Sequence, residues 1–243
     1  MFKLCVVIPV YNHGQPLIKV VARLQALQLP CVLVDDGSQA ETALIIDQLA
    51  QQPHISCVRL MVNQGKGAAV MAGLREALRL GFSHALQIDA DGQHDLQAVP
   101  RFIEAAQGAP EQLICGYPEY DASVPKGRLY ARYLTHVWVW IHTLSLSIRD
   151  AMCGFRVYPL DSAVQLFDQV KLGTRMDFDI QVLVHLYWRG QPMQWLPVKV
   201  IYPEGGLSNF RAVADNVLIT KMHTQLFFGM LWRAPHLIAR KLF

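Results

Sequence analysis

An α/β fold, a single Rossmann-like domain with a mostly parallel central sheet and helices on both faces, is what the sequence predicts from three observations. Over the first 115 residues, short apolar runs alternate with segments of helical periodicity, a rhythm that requires right-handed crossovers between parallel strands. Each apolar run ends in a polar or glycine-containing cluster, so the strand ends collect on one edge. At 243 residues, with no low-complexity linker and no internal repeat, the chain is long enough for one large domain with a substantial core.

The elements follow in order. Strands are expected over 4–10, 31–34, 55–61, 85–88 and 113–115, and helices over 16–27, 41–50, 66–80 and 96–106. After Gly116 the rhythm changes. A loop with two prolines leads to a helix over 125–148, then a short strand over 154–158, helices over 160–169 and 178–188, and a strand over 194–201. A last helical region starts near 212 and is expected to break at Pro235.

Composition narrows the classes. A net charge of +3, with no Lys/Arg run interleaved with aromatics, gives no groove for nucleic acid. A hydrophobic fraction of 52% against 17% charged residues implies that something besides water covers part of the surface. The five cysteines show no Cys-x-x-Cys spacing and read as reduced core residues. The apolar stretch at 4–10 contains Pro9 and leads into Tyr-Asn-His-Gly, so it reads as a buried strand rather than a signal peptide. The uncharged stretch 133–148, at about sixteen residues, falls short of a membrane span. The nine histidines show no metal-ligand spacing.

The polar edge carries the chemistry. Asp89-Ala90-Asp91 follows an apolar strand, where an acid-x-acid pair can grip a hard divalent cation. Asp177-Phe178-Asp179 is a second such triplet, so the pattern alone is not specific. Asp35-Asp36-Gly37-Ser38 is either a plain turn or a carboxylate that accepts from a nucleobase or ribose. Asn63-Gln64-Gly65-Lys66-Gly67 opens a helix whose exposed N–H groups would suit a phosphate or a sugar hydroxyl. It matches neither the dinucleotide fingerprint nor the P-loop. Arg128 and Arg132, four apart, share one helix face and either form a solvated basic surface or reach phosphates. An apolar stripe with Trp138 and Trp140 follows them, and the C-terminal 226–243 mixes large apolar groups with Arg233, Arg240 and Lys241. The first reads as core or as a helix lying in a membrane interface, the second as a helix packed on the protein, a dimer contact or a segment at an anionic bilayer surface.

Together these motifs carry a resemblance. Val-Val-Ile-Pro-Val-Tyr-Asn at 6–12, Val-Asp-Asp-Gly-Ser at 34–38, Asn-Gln-Gly-Lys-Gly at 63–67 and Asp-Ala-Asp-Gly-Gln-His at 89–94 resemble the family 2 glycosyltransferases of GT-A fold. Within them the chain is most similar to polyprenol-phosphate (dolichol-phosphate) mannose and glucose synthases, over residues 4–210. The match continues through 150–158 and, more loosely, 176–184. The resemblance implies that Pro9, Tyr11, His13 and Asp35 line the nucleoside pocket, with His13 standing where relatives usually carry an acid. It implies that Lys66 lies near the nucleotide or sugar, and that Asp89, Ala90, Asp91 and Gln93 meet the diphosphate, with Asp89 and Asp91 holding Mg²⁺ or Mn²⁺. Arg128 and Arg132 would reach donor or acceptor phosphates, and Gly205 to Asn209 would form a closing loop. Asp179 stands where many inverting members have a carboxylate base, needed for a hydroxyl acceptor but not for an already anionic phosphate.

On this resemblance residues 1–115 would bind the nucleotide sugar, 116–210 the acceptor, and 211–243 would form an amphipathic helical tail. The implied activity is inverting, metal-dependent transfer from a UDP- or GDP-sugar to a lipid or lipid-phosphate acceptor. The enzyme would sit on the cytoplasmic face of a membrane, touching it through 126–148 and 211–243. A hydroxyl acceptor with Asp179 as base, or a catalytically silent sugar-nucleotide-binding protein, would leave the same motifs.

Overall fold

The structure, a computed structural model, describes residues 1–120, 126–200 and 212–242; the side chains of 120, 126–128, 131, 212 and 242 are left aside. Its elements in chain order are β1 (Leu4–Val10), α1 (Gly14–Ala26), β2 (Cys31–Asp36), α2 (Ala40–Ala50), β3 (Ile55–Leu60), α3 (Lys66–Arg79) and β4 (His84–Gln87). A 3₁₀ turn at Leu96–Ala98 leads into α4 (Val99–Gly108), followed by β5 (Leu113–Tyr120), α5 (Lys126–Thr143), β6 (Arg156–Pro159), α6 (Leu160–Gln169), α7 (Phe178–Trp188), β7 (Met193–Val200) and α8 (Ala212–Leu242).

The seven described strands form one sheet in the order β3-β2-β1-β4-β6-β5-β7. All neighbours run parallel except β6, which is antiparallel to both β4 and β5. Successive side chains of β1 enter opposite layers: Cys5 and Val7 pack with α3, α6, α7 and α8, while Leu4, Val6, Ile8 and Val10 pack with α1, α2 and α4. Burial on both faces is why this strand is apolar throughout. Four cysteines are buried and Cys57 is half-buried; all five are free thiols.

Two helix ends differ from the sequence expectation. The helix that begins at Lys126 stops at Thr143 rather than running to 148. Leu144 takes φ +50°, its N–H donates to Ile141 O, and Ser145 N–H donates to Trp140 O. This is a Schellman ending with leucine where glycine is usual, so no glycine or proline announces it. Conversely, α8 runs through Pro235 without ending. Met222, Leu226, Met230 and Leu237 are buried on both sides of the proline, and their packing outweighs a backbone cost of about 3 kcal/mol. The tail is therefore part of the main core.

Candidate active site

Because β1 to β4 are parallel, their C-terminal ends share one edge, and the reversed β6 brings the residues that precede it, 150–155, to the same place. Gln87 pairs with Arg156 across that boundary. A parallel β6 would have carried those residues to the opposite edge.

Asp36, buried at the end of β2, organises the loop that starts α3. Its carboxylate accepts from Gln64 N–H at 2.7 Å, Gly65 N–H at 2.9 Å and Asn63 Nδ2 at 3.0 Å. Burial pushes its pKa up, although these N–H groups pull the other way. Gly65 takes φ +105°, a conformation that excludes a side chain. Further into the first turn Ala68 N–H donates to Thr174 O at 3.0 Å. Two of the amides that this helix start was expected to offer a phosphate, those of Gly65 and Ala68, are therefore committed within the protein. What α3 contributes to the site is the Lys66 side chain.

Lys66 lies between two carboxylates. Its Nζ is 2.9 Å from Asp89 Oδ1, 3.0 Å from Asp89 Oδ2 and 3.0 Å from Asp179 Oδ2. Burial alone would lower the ammonium pKa, but Asp179 and Asp89 more than compensate and raise it. For Asp89 burial opposes ionisation, yet Lys66 holds the carboxyl below the usual aspartate range. Beneath them lies a buried polar layer. Gln87 Nε2 donates to Asp179 Oδ1 at 3.4 Å, Tyr158 OH donates to Gln87 Oε1 at 3.3 Å, and Arg156 Nη1 donates to the Asp179 carbonyl at 2.8 Å. Gly154 closes the layer above, where a Cβ would stand 2.7 Å from Gln87 Nε2 and 2.9 Å from Lys66 Nζ.

Asp91 behaves oppositely to Asp89. Burial and the neighbouring Asp89 charge raise its pKa, outweighing the Gln93 N–H, 3.0 Å from Oδ1, and the His94 and Lys66 side chains, which pull it down. Ala90 is buried between the two acids, and Gln93 is half-buried. Among the described residues no group of three or more His, Cys, Asp or Glu side chains could hold a metal ion. Two carboxylates suit a hard cation that takes its other ligands from water and substrate oxygens. Asp89 Oδ1 is buried with no hydrogen-bond donor aligned to it, the Lys66 ammonium being the group that faces it. A buried carboxylate already faced by a cation, beside a second acid, fits such an ion.

Other predicted residues meet different partners. Arg132 does not stand ready for a phosphate: its Nε and Nη2 grip Asp150 at 2.5 and 2.6 Å. Asp150 also takes His136 Nε2 at 3.1 Å and the amides of Met152 and Cys153. Although burial works against it, this set holds the Asp150 carboxyl well below the usual range. Asp35 is 1% exposed and already accepts from Ser38 N–H and Arg59 Nε, both at 2.9 Å, so its oxygens are committed within the protein. Pro9, Tyr11 and His13 are half-buried at the end of β1, with His13 Nδ1 2.8 Å from Tyr11 O. The Arg128 side chain and the Gly205 to Asn209 loop lie outside the described residues. The sequence reading assigned no role to Gln87, Asp150, Arg156 or Tyr158; a long polar side chain inside an apolar strand, as in Ala-Leu-Gln-Ile and Phe-Arg-Val, is the signal that could have found two of them.

A model of the glycosyl transferase family 2 matches residues 5–160. Among curated proteins, an uncharacterized protein of Methanocaldococcus jannaschii is 30% identical over 159 residues, 62% of this chain and 69% of the relative. The polyprenol monophosphomannose synthase of Mycolicibacterium smegmatis is 28% identical over 63% of this chain and 60% of its own length. A dolichyl-phosphate beta-glucosyltransferase of Dictyostelium discoideum is 28% identical over 63% and 49%. The match thus spans about half to three fifths of these named transferases. Glucosyl-3-phosphoglycerate synthase from Mycobacterium tuberculosis, solved with Mn²⁺ and UDP-glucose, superposes with TM-score 0.68 at 16% identity, covering 96% of this chain and 79% of that one. At that identity the likeness concerns the fold.

Proposed function

Since the chain belongs to glycosyl transferase family 2 and has the GT-A fold, we propose that it moves a sugar from a nucleoside-diphosphate sugar to a lipid phosphate at a membrane surface. The observation that carries the reading is the Asp89, Lys66, Asp179 cluster beside Asp91 at the C-terminal edge of the sheet. Asp89 and Asp91 would hold Mg²⁺ or Mn²⁺, and a cation bound there neutralises the diphosphate as it leaves.

The state of Asp179 favours a phosphate acceptor. Its carboxylate is 8% exposed, paired with Lys66 and hydrogen-bonded by Gln87, which suits a group that fixes charge more than one that must collect a proton. A phosphate monoester is already anionic near neutrality and needs no strong base to attack the anomeric carbon. The named polyprenol- and dolichyl-phosphate transferases support the same acceptor class.

The surface of α5 and α8 supports a lipid location. Tyr130, Tyr133, Leu134, Val137 and Ile141 are exposed along α5, and Val213, Val217, Phe228, Leu231, Trp232 and Ile238 along α8. Trp232 is 86% exposed and Tyr130 72%, which is costly for aromatics facing only water. No helix among the described residues is long and apolar enough to cross a membrane, so these stripes suit a peripheral contact. Arg233 and Arg240, which the sequence offered for this contact, also have partners within the protein. Their guanidinium groups stack on Trp188 at 4.6 Å and Tyr187 at 4.8 Å, leaving Lys241 exposed.

The test is transfer from UDP- or GDP-hexoses, with Mn²⁺, to a polyprenyl phosphate in detergent. Transfer by the wild type and at least about a hundredfold loss in Asp91→Ala, with its melting curve intact, are expected. Transfer to a free alcohol but not to the phosphate would favour a hydroxyl acceptor with Asp179 as base, and none to either would sink the reading.

A further inference from the structure

We propose that Lys66 is the resident cation of the Asp89 carboxylate when no donor is bound, so that the divalent ion enters together with the donor rather than before it. This rests on the reading of Asp89 and Asp91 as the cation ligands. Lys66 Nζ lies 2.9 and 3.0 Å from the two oxygens of Asp89, so the ammonium covers both coordinating positions at once. A divalent ion bonds a carboxylate oxygen at about 2.0–2.6 Å, which would set it within contact range of the ammonium. The two positive charges then repel across a poorly hydrated gap.

The ammonium has little room to withdraw. Gly154 closes one side, where a Cβ would already stand 2.9 Å from Nζ. Gln87 Nε2 is directed to Asp179 Oδ1. The remaining partner is Asp179 Oδ2 at 3.0 Å, which lets Lys66 keep one ion pair while giving up Asp89. Exchanging Lys66 for the ion at Asp89 thus costs repulsion unless further negative charge arrives. A donor diphosphate brings that charge to both cations. Lys66 is on this account a positioning residue that couples the two ligands, and coupling of this kind is reciprocal.

The experiment is a titration with Mn²⁺ alone, followed by the paramagnetic resonance signal of the free ion, on wild type and Lys66→Gln, repeated with UDP and with GDP. Without nucleotide, Lys66→Gln should bind Mn²⁺ at least about tenfold tighter than wild type, and the gain should vanish in the Lys66→Gln, Asp89→Asn double variant. The factor by which nucleotide tightens Mn²⁺ binding should shrink in Lys66→Gln and persist in Lys66→Arg. If Lys66→Gln fails to fold, Lys66→Met, which keeps the buried stem, carries the same comparison. Equal or weaker Mn²⁺ binding in the uncharged variants, with wild type still binding through Asp89, would overturn the Lys66 proposal alone. No Mn²⁺ uptake by wild type with either nucleotide would overturn the cation reading beneath it.

Discussion

Two aspartates show what single residues contribute. Asp91 carries a charge that the fold does not reward, since burial and Asp89 both disfavour its ionised form. Removing that charge should relieve the folded state, so Asp91→Asn is expected to melt about 2 °C above wild type in the absence of metal while losing transfer, as groups held for chemistry tend to behave. A melting point lowered by calorimetry would contradict this. Asp150 is the reverse case. Its folded pKa lies below the unfolded value of about 4, so its stabilising contribution is present above pH 4 and is lost as pH falls below it. Asp150→Asn leaves Arg132 facing a neutral amide and should cost about 3–5 kcal/mol at pH 7, with a flatter acid limb in denaturant melts at pH 3–7. The acid pair at 89 and 91 was legible in the sequence because it follows a strand. The partner of Arg132 was not, since Asp150 lies eighteen positions on, past the end of α5 at Thr143, where helical periodicity no longer places a side chain.

At the scale of elements, contacts between helices decide where the side chains arrive. Gly67 lets α3 lie directly against Phe178 of α7, and an added methyl would run into that ring and the Gly173 carbonyl. Gly67→Ala should therefore cost about 1–3 kcal/mol and separate Lys66 from Asp179, seen as a lower urea midpoint together with weaker nucleotide binding. An unchanged midpoint would show that the helices can shift to accept it. Helix α8 is apolar on two faces, the inner one in the core and the outer one exposed. Trp232→Glu should reduce cosedimentation with phosphatidylglycerol vesicles about tenfold without lowering thermal stability. A loss of stability with vesicle binding unchanged would assign that face to packing. Periodicity located every helix. It could not locate the end at Thr143, which depends on a leucine in a left-handed conformation, nor the continuity past Pro235, which depends on tertiary burial.

For the whole molecule, the alternation of apolar runs and amphipathic segments was enough to announce a parallel sheet and its polar edge. The reversal of β6 was not legible, because direction within a sheet is set by which strands it meets rather than by its own four residues. That reversal puts Gly154 over Lys66, so the local pattern announced the edge and the topology completed it. The order of the strands also has a consequence in time. As the chain emerges during synthesis, β3, β2, β1 and β4 can assemble once Gln87 is made, yet β4 must wait for Arg156–Pro159 before its open side is covered. The eight-residue β5 waits longer for its parallel partner β7, roughly eighty residues downstream, the kind of distant pairing that closes slowly. β4 has only four residues, so the nascent half-sheet shows a short bare edge to neighbouring chains, and its brevity guards against aggregation before the fold is finished.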